Sequence, residues 1–187
     1  LTLANGILNL GSKTFTNGAG IISRQNGVIN GGTGTYIINT NHLSPVLEDV
    51  YFTVNGTPTL YNLTVNAAHT TANDLTVNGT LNLNTNNLTI GSGAAIAAPM
   101  KLVLNGDLTR TIGIIAGSAT LSRVVLQGTG TVICGLSNTY FGGTATTCQF
   151  EVARQETLGG NLNIAAATSF LRINTGINTF DLGTNTL

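Results

Sequence analysis

Asp74-Leu75-Thr76-Val77-Asn78-Gly79 and Lys101-Leu102-Val103-Leu104-Asn105-Gly106 are two versions of one string. Each places two apolar residues around a middle residue and then ends in Asn-Gly. Apolar residues at a spacing of two describe a strand with one face in a core. Asn-Gly turns the chain, because Asn tolerates and Gly favours positive φ. The string recurs as Val28-Ile29-Asn30-Gly31, Phe52-Thr53-Val54-Asn55-Gly56 and Val124-Val125-Leu126-Gln127-Gly128. Leu1-Thr2-Leu3-Ala4-Asn5-Gly6 is an earlier version. Phe150-Glu151-Val152-Ala153-Arg154 and Leu171-Arg172-Ile173-Asn174-Thr175 are degenerate ones.

Taking the residue in the Asn slot as a marker gives positions 5, 30, 55, 78, 105, 127, 153 and 174. The mean spacing is about 24 residues, a period of the solenoid class. Further short strands fit inside each period, such as Thr80-Leu81-Asn82-Leu83 and Asn87-Leu88-Thr89-Ile90. One such unit cannot bury its apolar face alone, but stacked copies can. The expected fold is therefore all-β: a parallel β-helix of about eight coils, right-handed by the default of parallel crossovers. It predicts an amide ladder through Asn5, Asn30, Asn55, Asn78 and Asn105. It also predicts that Asp74 neighbours Lys101 and that Glu151 neighbours Arg172 on adjacent coils.

Composition agrees with strands and turns. Of 187 residues, 78 are Thr, Gly or Asn. Only 7% are charged, with seven basic and seven acidic side chains. No basic patch is available to neutralise phosphates, so no nucleic-acid partner is expected. No apolar run reaches the ~20 residues of a membrane-spanning helix, so no membrane insertion is expected. The 42% hydrophobic content argues against disorder.

The stretches Leu1-Thr2-Leu3-Ala4-Asn5-Gly6-Ile7-Leu8-Asn9-Leu10-Gly11-Ser12, Leu60-Tyr61-Asn62-Leu63-Thr64-Val65 and Asp74 through Gly93 resemble repeats of large secreted surface proteins of Bacteroidota. The resemblance is clear over residues 1–96. It implies an extracellular, cell-surface location, a role as adhesin or surface fibre, and export by the type IX route. It implies no catalytic residues.

Chemistry is sparse in the sequence. The acids Glu48, Asp49, Asp74, Asp107, Glu151, Glu156 and Asp181 scatter around the period. A polysaccharide-active β-helix would gather them on one face. Glu48 with Asp49 is the one dense spot, and Asp49 and Asp74 are expected on adjacent coils at similar offsets; a carboxylate pair there is readable as a calcium or acid/base site or as solvated turn charges. His42 and His69 sit in turn-like stretches and read as surface residues. Cys134 and Cys148 flank a segment rich in Gly and Thr; they read either as a disulfide in an oxidising compartment or as two small buried side chains. Thr recurs two and four residues after the marker, at Thr57, Thr80 and Thr129 with Asp107 interrupting, and at Thr59, Thr109, Thr131 and Thr157 with Asn82 interrupting. Such files suit ice binding or simple β-propensity.

The first residue is Leu1, the single Met is Met100, and neither end carries a capping helix or charge cluster. The expectation is one β-solenoid segment over 1–187, part of a longer array or a fibre subunit. Its partners would be neighbouring copies or repeats end to end, with surface glycans as a further partner. The function expected is structural and adhesive, without catalysis or cofactors. The alternatives are a polysaccharide-active or glycan-binding β-helix and an ice-binding solenoid.

Overall fold

The computed structural model describes residues 1–39, 47–91, 93, 95, 98–117, 121–132, 135, 137, 139–142, 148–164, 170–174 and 180–185. Among these residues the chain is all-β with parallel sheets. Its one helical feature is a single 3-10 turn, Asp49–Tyr51. Sheet I holds Leu75–Val77, Met100–Leu104, Ser122–Leu126, Gln149–Val152 and Leu171–Ile173. Sheet II holds Thr14–Asn17, Thr35–Ile38, Asn62–Val65, Leu81–Asn82 and Leu108–Thr109. Sheet III holds His69–Thr70, Leu88–Ile90 and Ile115–Gly117. In each, strands lie side by side in chain order and every pairing is parallel.

From residue 69 the chain visits the sheets in the cycle III, I, II and then starts again. It returns to a given sheet after 18 residues at Leu63↔Leu81 and after 27 at Leu81↔Leu108. Parallel neighbours cannot be joined by a tight hairpin. Here the connection between them runs through the other two sheets, and that route sets the period.

Alternation along each strand divides its side chains. In sheet I, Leu75, Val77, Leu102, Leu104, Val124, Leu126, Phe150 and Val152 are buried and lie in two columns. Tyr36, Ile38, Leu63, Val65, Leu81 and Leu108 do the same in sheet II, and Leu88, Ile90 and Ile115 in sheet III. All belong to one contiguous apolar cluster. Aromatic rings extend it: Phe15 stacks on Tyr36 at 5.6 Å, and Tyr36 meets Phe52 edge-on at 5.3 Å. Each fully buried aliphatic side chain contributes about 1.5–3 kcal/mol of transfer free energy. The middle residues, such as Val103 and Glu151, face outward and are half-exposed.

Two departures from the expected period stand out. In the first part of the chain the return is 21 residues: Thr2↔Ser23, Ile7↔Val28 and Thr14↔Thr35. Asn30 therefore lies level with Asn9, not Asn5, and the string at 28–31 matches Ile7-Leu8-Asn9. The Asn-Gly pairs at 5–6 and 26–27 carry the true phase. The second departure is at 53–58, where Thr53–Val54 and Thr57–Pro58 form an antiparallel hairpin, the one such strand pairing among the described residues. Asn55 and Gly56 both have positive φ, at 50° and 79°. That is the geometry of a two-residue hairpin turn, and it takes Asn55 out of any ladder.

Leu102 is fully buried in sheet I and Val103 faces outward beside it. Leu102→Ala is expected to lower the unfolding free energy by about 2–5 kcal/mol, and Val103→Ala by less than about 1 kcal/mol. Urea unfolding followed by circular dichroism checks the difference; equal losses would remove the assigned facing of this strand.

Candidate functional site

The polar side chains serve mostly to complete backbone hydrogen bonding from one pass of the chain to the next. Asn105 Nδ2 donates to Asn78 Oδ1 at 2.7 Å. Backbone bonds carry that column on: Gln127 donates to Leu104, Ala153 to Leu126 and Asn174 to Val152. The other predicted ladder residues are elsewhere. Asn30 donates to Asn9 at 2.9 Å, Asn26 to Asn5 at 3.4 Å, and Asn55 occupies the hairpin turn. A ladder that the marker string does not contain runs past the end of sheet II, where Asn84 donates to Asn66 and Asn66 to Asn39. The five predicted residues thus belong to four places, not one column: Asn5 beside Asn26, Asn30 beside Asn9, Asn55 in the hairpin turn, and Asn78 with Asn105.

Carboxylates and amides also receive backbone N–H groups of the following pass. Asp49 Oδ1 accepts from Thr76 N at 2.6 Å while Oδ2 accepts from its hydroxyl at 2.8 Å. Asp74 accepts from Lys101 N at 2.8 Å, Asp107 from Thr131 N at 2.9 Å, Asn62 from Thr80 N at 2.8 Å and Asn87 from Ile114 N at 3.1 Å. Asp74 and Lys101 are neighbours, as the column requires, but through the Lys101 backbone. Glu151 is in register with Arg172, yet its ion pair is with Arg123 at 3.5 Å on the other side. The Arg172 guanidinium lies 5.3 Å from the Phe170 ring.

The densest buried chemistry is a pair that the marker pattern does not reveal. Arg154 Nε donates to Glu156 Oε1 at 2.7 Å, and both side chains are at most 3% exposed. Arg154 Nη1 donates to the carbonyls of Leu104, Gly106 and Gln127 at 2.8–3.1 Å, spanning two earlier passes. Arg154 Nη2 is buried without a partner. Glu156 further accepts from the Val132 backbone. The corner beside the pair is built of glycine. A Cβ on Gly106 would sit 2.0 Å from the Gly79 carbonyl oxygen, and one on Gly130 would sit 1.9 Å from Gly106. Arg154 occupies the slot after the marker that is glycine at 79, 106 and 128, and that exchange was the available sequence signal.

A cleft of about 590 Å³ opens at this corner. Gly128–Val132 form one wall and Arg154–Thr157 the other. Burial pushes the Glu156 carboxyl above the ordinary glutamate range, with the Arg154 guanidinium pulling the other way. Burial also raises Asp49, against its bonds from Thr76.

The remaining candidates are dispersed. Cys148 is buried; Cys134 and His42 lie outside the described residues, and with them the disulfide reading. His69 is a buried strand residue, not a surface one, because the strand His69–Thr70 turns it toward the interior. On the outer side of sheet II, register aligns Thr16, Ile37, Thr64, Asn82 and Thr109, so its hydroxyl file is interrupted twice. Comparison of the chain with protein-family models, curated proteins and solved structures brought no match.

Two outcomes test the corner. Gly106→Ala forces the stacked backbones apart, and a loss of about 1–3 kcal/mol is expected in denaturant unfolding. Glu156 and Asp49 hold their protons more tightly folded than unfolded, so their contribution to stability falls as pH rises through the interval above the ordinary carboxylate values of 4.5 and 3.8. The stability of the wild-type chain relative to Asp49→Asn/Glu156→Gln should therefore shrink between about pH 3.5 and pH 7. Thermal melts across that range decide it; a difference that grows with pH would reverse the assigned shift.

Proposed function

We propose that residues 1–187 form one non-catalytic segment of a bacterial cell-surface β-solenoid. In this reading the parallel sheets wind as a right-handed β-helix of about eight passes. The rod spaces or presents other parts of a secreted adhesin or filament. The observation that carries it is the set of in-register apolar columns in three parallel sheets, all feeding one core. A stack of this kind gains stability from each neighbour contact and is stiff along its axis. Its partners would be copies or repeats added end to end, through strand edges that offer unpaired N–H and C=O groups.

The engagement of five of the seven acids supports a role without catalysis. Asp49, Asp74 and Asp107 are engaged with backbone N–H groups. Glu156 is held by Arg154 and Glu151 by Arg123 and Asn174. A lyase or hydrolase needs carboxylates free to exchange protons with a sugar. The interrupted hydroxyl file on sheet II weighs against a flat ice-binding face.

Eight passes at ~4.8 Å each make a rod about 40 Å long. Small-angle scattering from the monomer, with electron microscopy of concentrated protein, should show short rods or their end-to-end fibres. A near-spherical particle would refute the rod. Incubation with uronate polymers, with and without calcium, should give no cleavage, and any turnover would replace this reading with an enzyme.

A further inference from the structure

The sequence carries seven Asn-Gly pairs, at 5–6, 17–18, 26–27, 30–31, 55–56, 78–79 and 105–106. The stack treats them unequally. Asn78 Nδ2 donates to the Pro58 carbonyl at 2.8 Å, its Oδ1 accepts from Asn105 Nδ2, and Gly79 N donates to the Tyr61 carbonyl at 2.7 Å. Gly106 packs against the Gly79 backbone. Asn30 Nδ2 donates to Asn9, while its Oδ1 accepts from Gly32 N. Asn26 Nδ2 donates to Asn5, and Gly27 N donates to the Leu3 carbonyl at 3.0 Å. Gly6 is tied to the following pass through its carbonyl, which accepts from Val28 N, and Asn17 is buried. Asn55-Gly56 is the exception. Both residues are exposed at the hairpin tip, and among the described residues neither the Asn55 amide nor the Gly56 N–H has a hydrogen-bond partner.

We propose that Asn55 is a modification site, at which spontaneous deamidation converts the side chain to aspartate and isoaspartate ahead of the other six pairs. The Gly56 nitrogen gives its proton to hydroxide and attacks Asn55 Cγ. The new C–N bond closes a succinimide ring. The Cγ–Nδ2 bond breaks, and Nδ2 takes up a proton and leaves as ammonia. Water then opens the ring. Attack at Cγ gives aspartate, and attack at the backbone carbonyl gives isoaspartate. One water is consumed, one ammonia is released, and nothing is oxidised or reduced.

Three features select this pair. Gly56 has no Cβ to obstruct the approach of its nitrogen, and a Cβ built there would meet nothing within 4 Å, so the turn has room to rotate. That rotation breaks no hydrogen bond of the dipeptide, whereas at Asn78-Gly79 it would break three. The flanking strands, Thr53–Val54 and Thr57–Pro58, are two residues each, and so short a hairpin opens locally at little cost. The product is also tolerated. The hairpin belongs to none of the three parallel sheets, so the methylene that isoaspartate adds to the backbone leaves their columns in register. Conversion puts a carboxylate on the tip and takes the formal net charge from zero to minus one, so an aged molecule differs from a new one at a single exposed point.

The test is to age the folded chain in warm, mildly alkaline buffer beside the same chain in guanidinium chloride, and to read each pair by peptide-mapping mass spectrometry that separates aspartate from isoaspartate. In the folded chain Asn55 should convert first and at least about tenfold faster than any of the other six, because their reaction must first break hydrogen bonds. In guanidinium chloride the seven rates should converge, since only the fold distinguishes them. Asn55→Gln, whose longer side chain would have to close a larger ring, should remove the early ammonia release. Equal rates in the folded chain, an earlier conversion at Asn5, Asn78 or Asn105, a preference for Asn55 that persists in guanidinium chloride, or early ammonia release unchanged in the variant would each overturn the assignment.

Discussion

Parallel pairing is the constraint from which the rest follows. A parallel neighbour cannot be reached by a two-residue turn, so the chain must leave the sheet and come back. In this protein it comes back after crossing two other sheets, and those sheets face the same interior. The apolar columns Leu75–Leu102–Val124–Phe150 and Val77–Leu104–Leu126–Val152 are the result. Hydrogen bonding fixes the register and burial fixes the facing. A one-residue slip would turn every inward side chain outward.

The second consequence concerns corners. Where a strand ends, backbone N–H groups lose their ladder partners, and a buried orphan is costly. Asx side chains supply acceptors at several of these points, which explains why a chain with so few charges places Asp49, Asp74 and Asp107 where it does. Arg154 supplies the converse, donating to three carbonyls of two earlier passes, of which that of Leu104 also accepts from Gln127. Its charge is tolerable inside only because Glu156 is bonded to it.

Strand alternation and the marker column from Asn78 onward were legible, because the same string recurs there with both apolar residues intact. The first sixty residues were not, for a local reason. Val28-Ile29-Asn30-Gly31 looks like the marker string but fills the place of Ile7-Leu8-Asn9, and the 21-residue return shows only in the quieter pair Asn5-Gly6 and Asn26-Gly27. Asn55-Gly56 was misleading because one dipeptide serves two kinds of turn. The Arg154–Glu156 pair was hidden more deeply. Its partners lie 27 to 50 residues away in sequence, and only the stacking brings them together.

Return lengths from 18 to 27 residues carry a further implication. Loop closure entropy grows slowly with length, by about 0.6 kcal/mol for each doubling. Extra residues at a corner therefore cost little so long as the strands on either side keep their register. Inserting them within a strand would break the columns. Sequence freedom is thus confined to corners, where the hairpin at 53–58 and the cleft beside Arg154 are found. A scaffold built this way can alter what it presents without altering how it stands, and its chemistry should be sought at those corners.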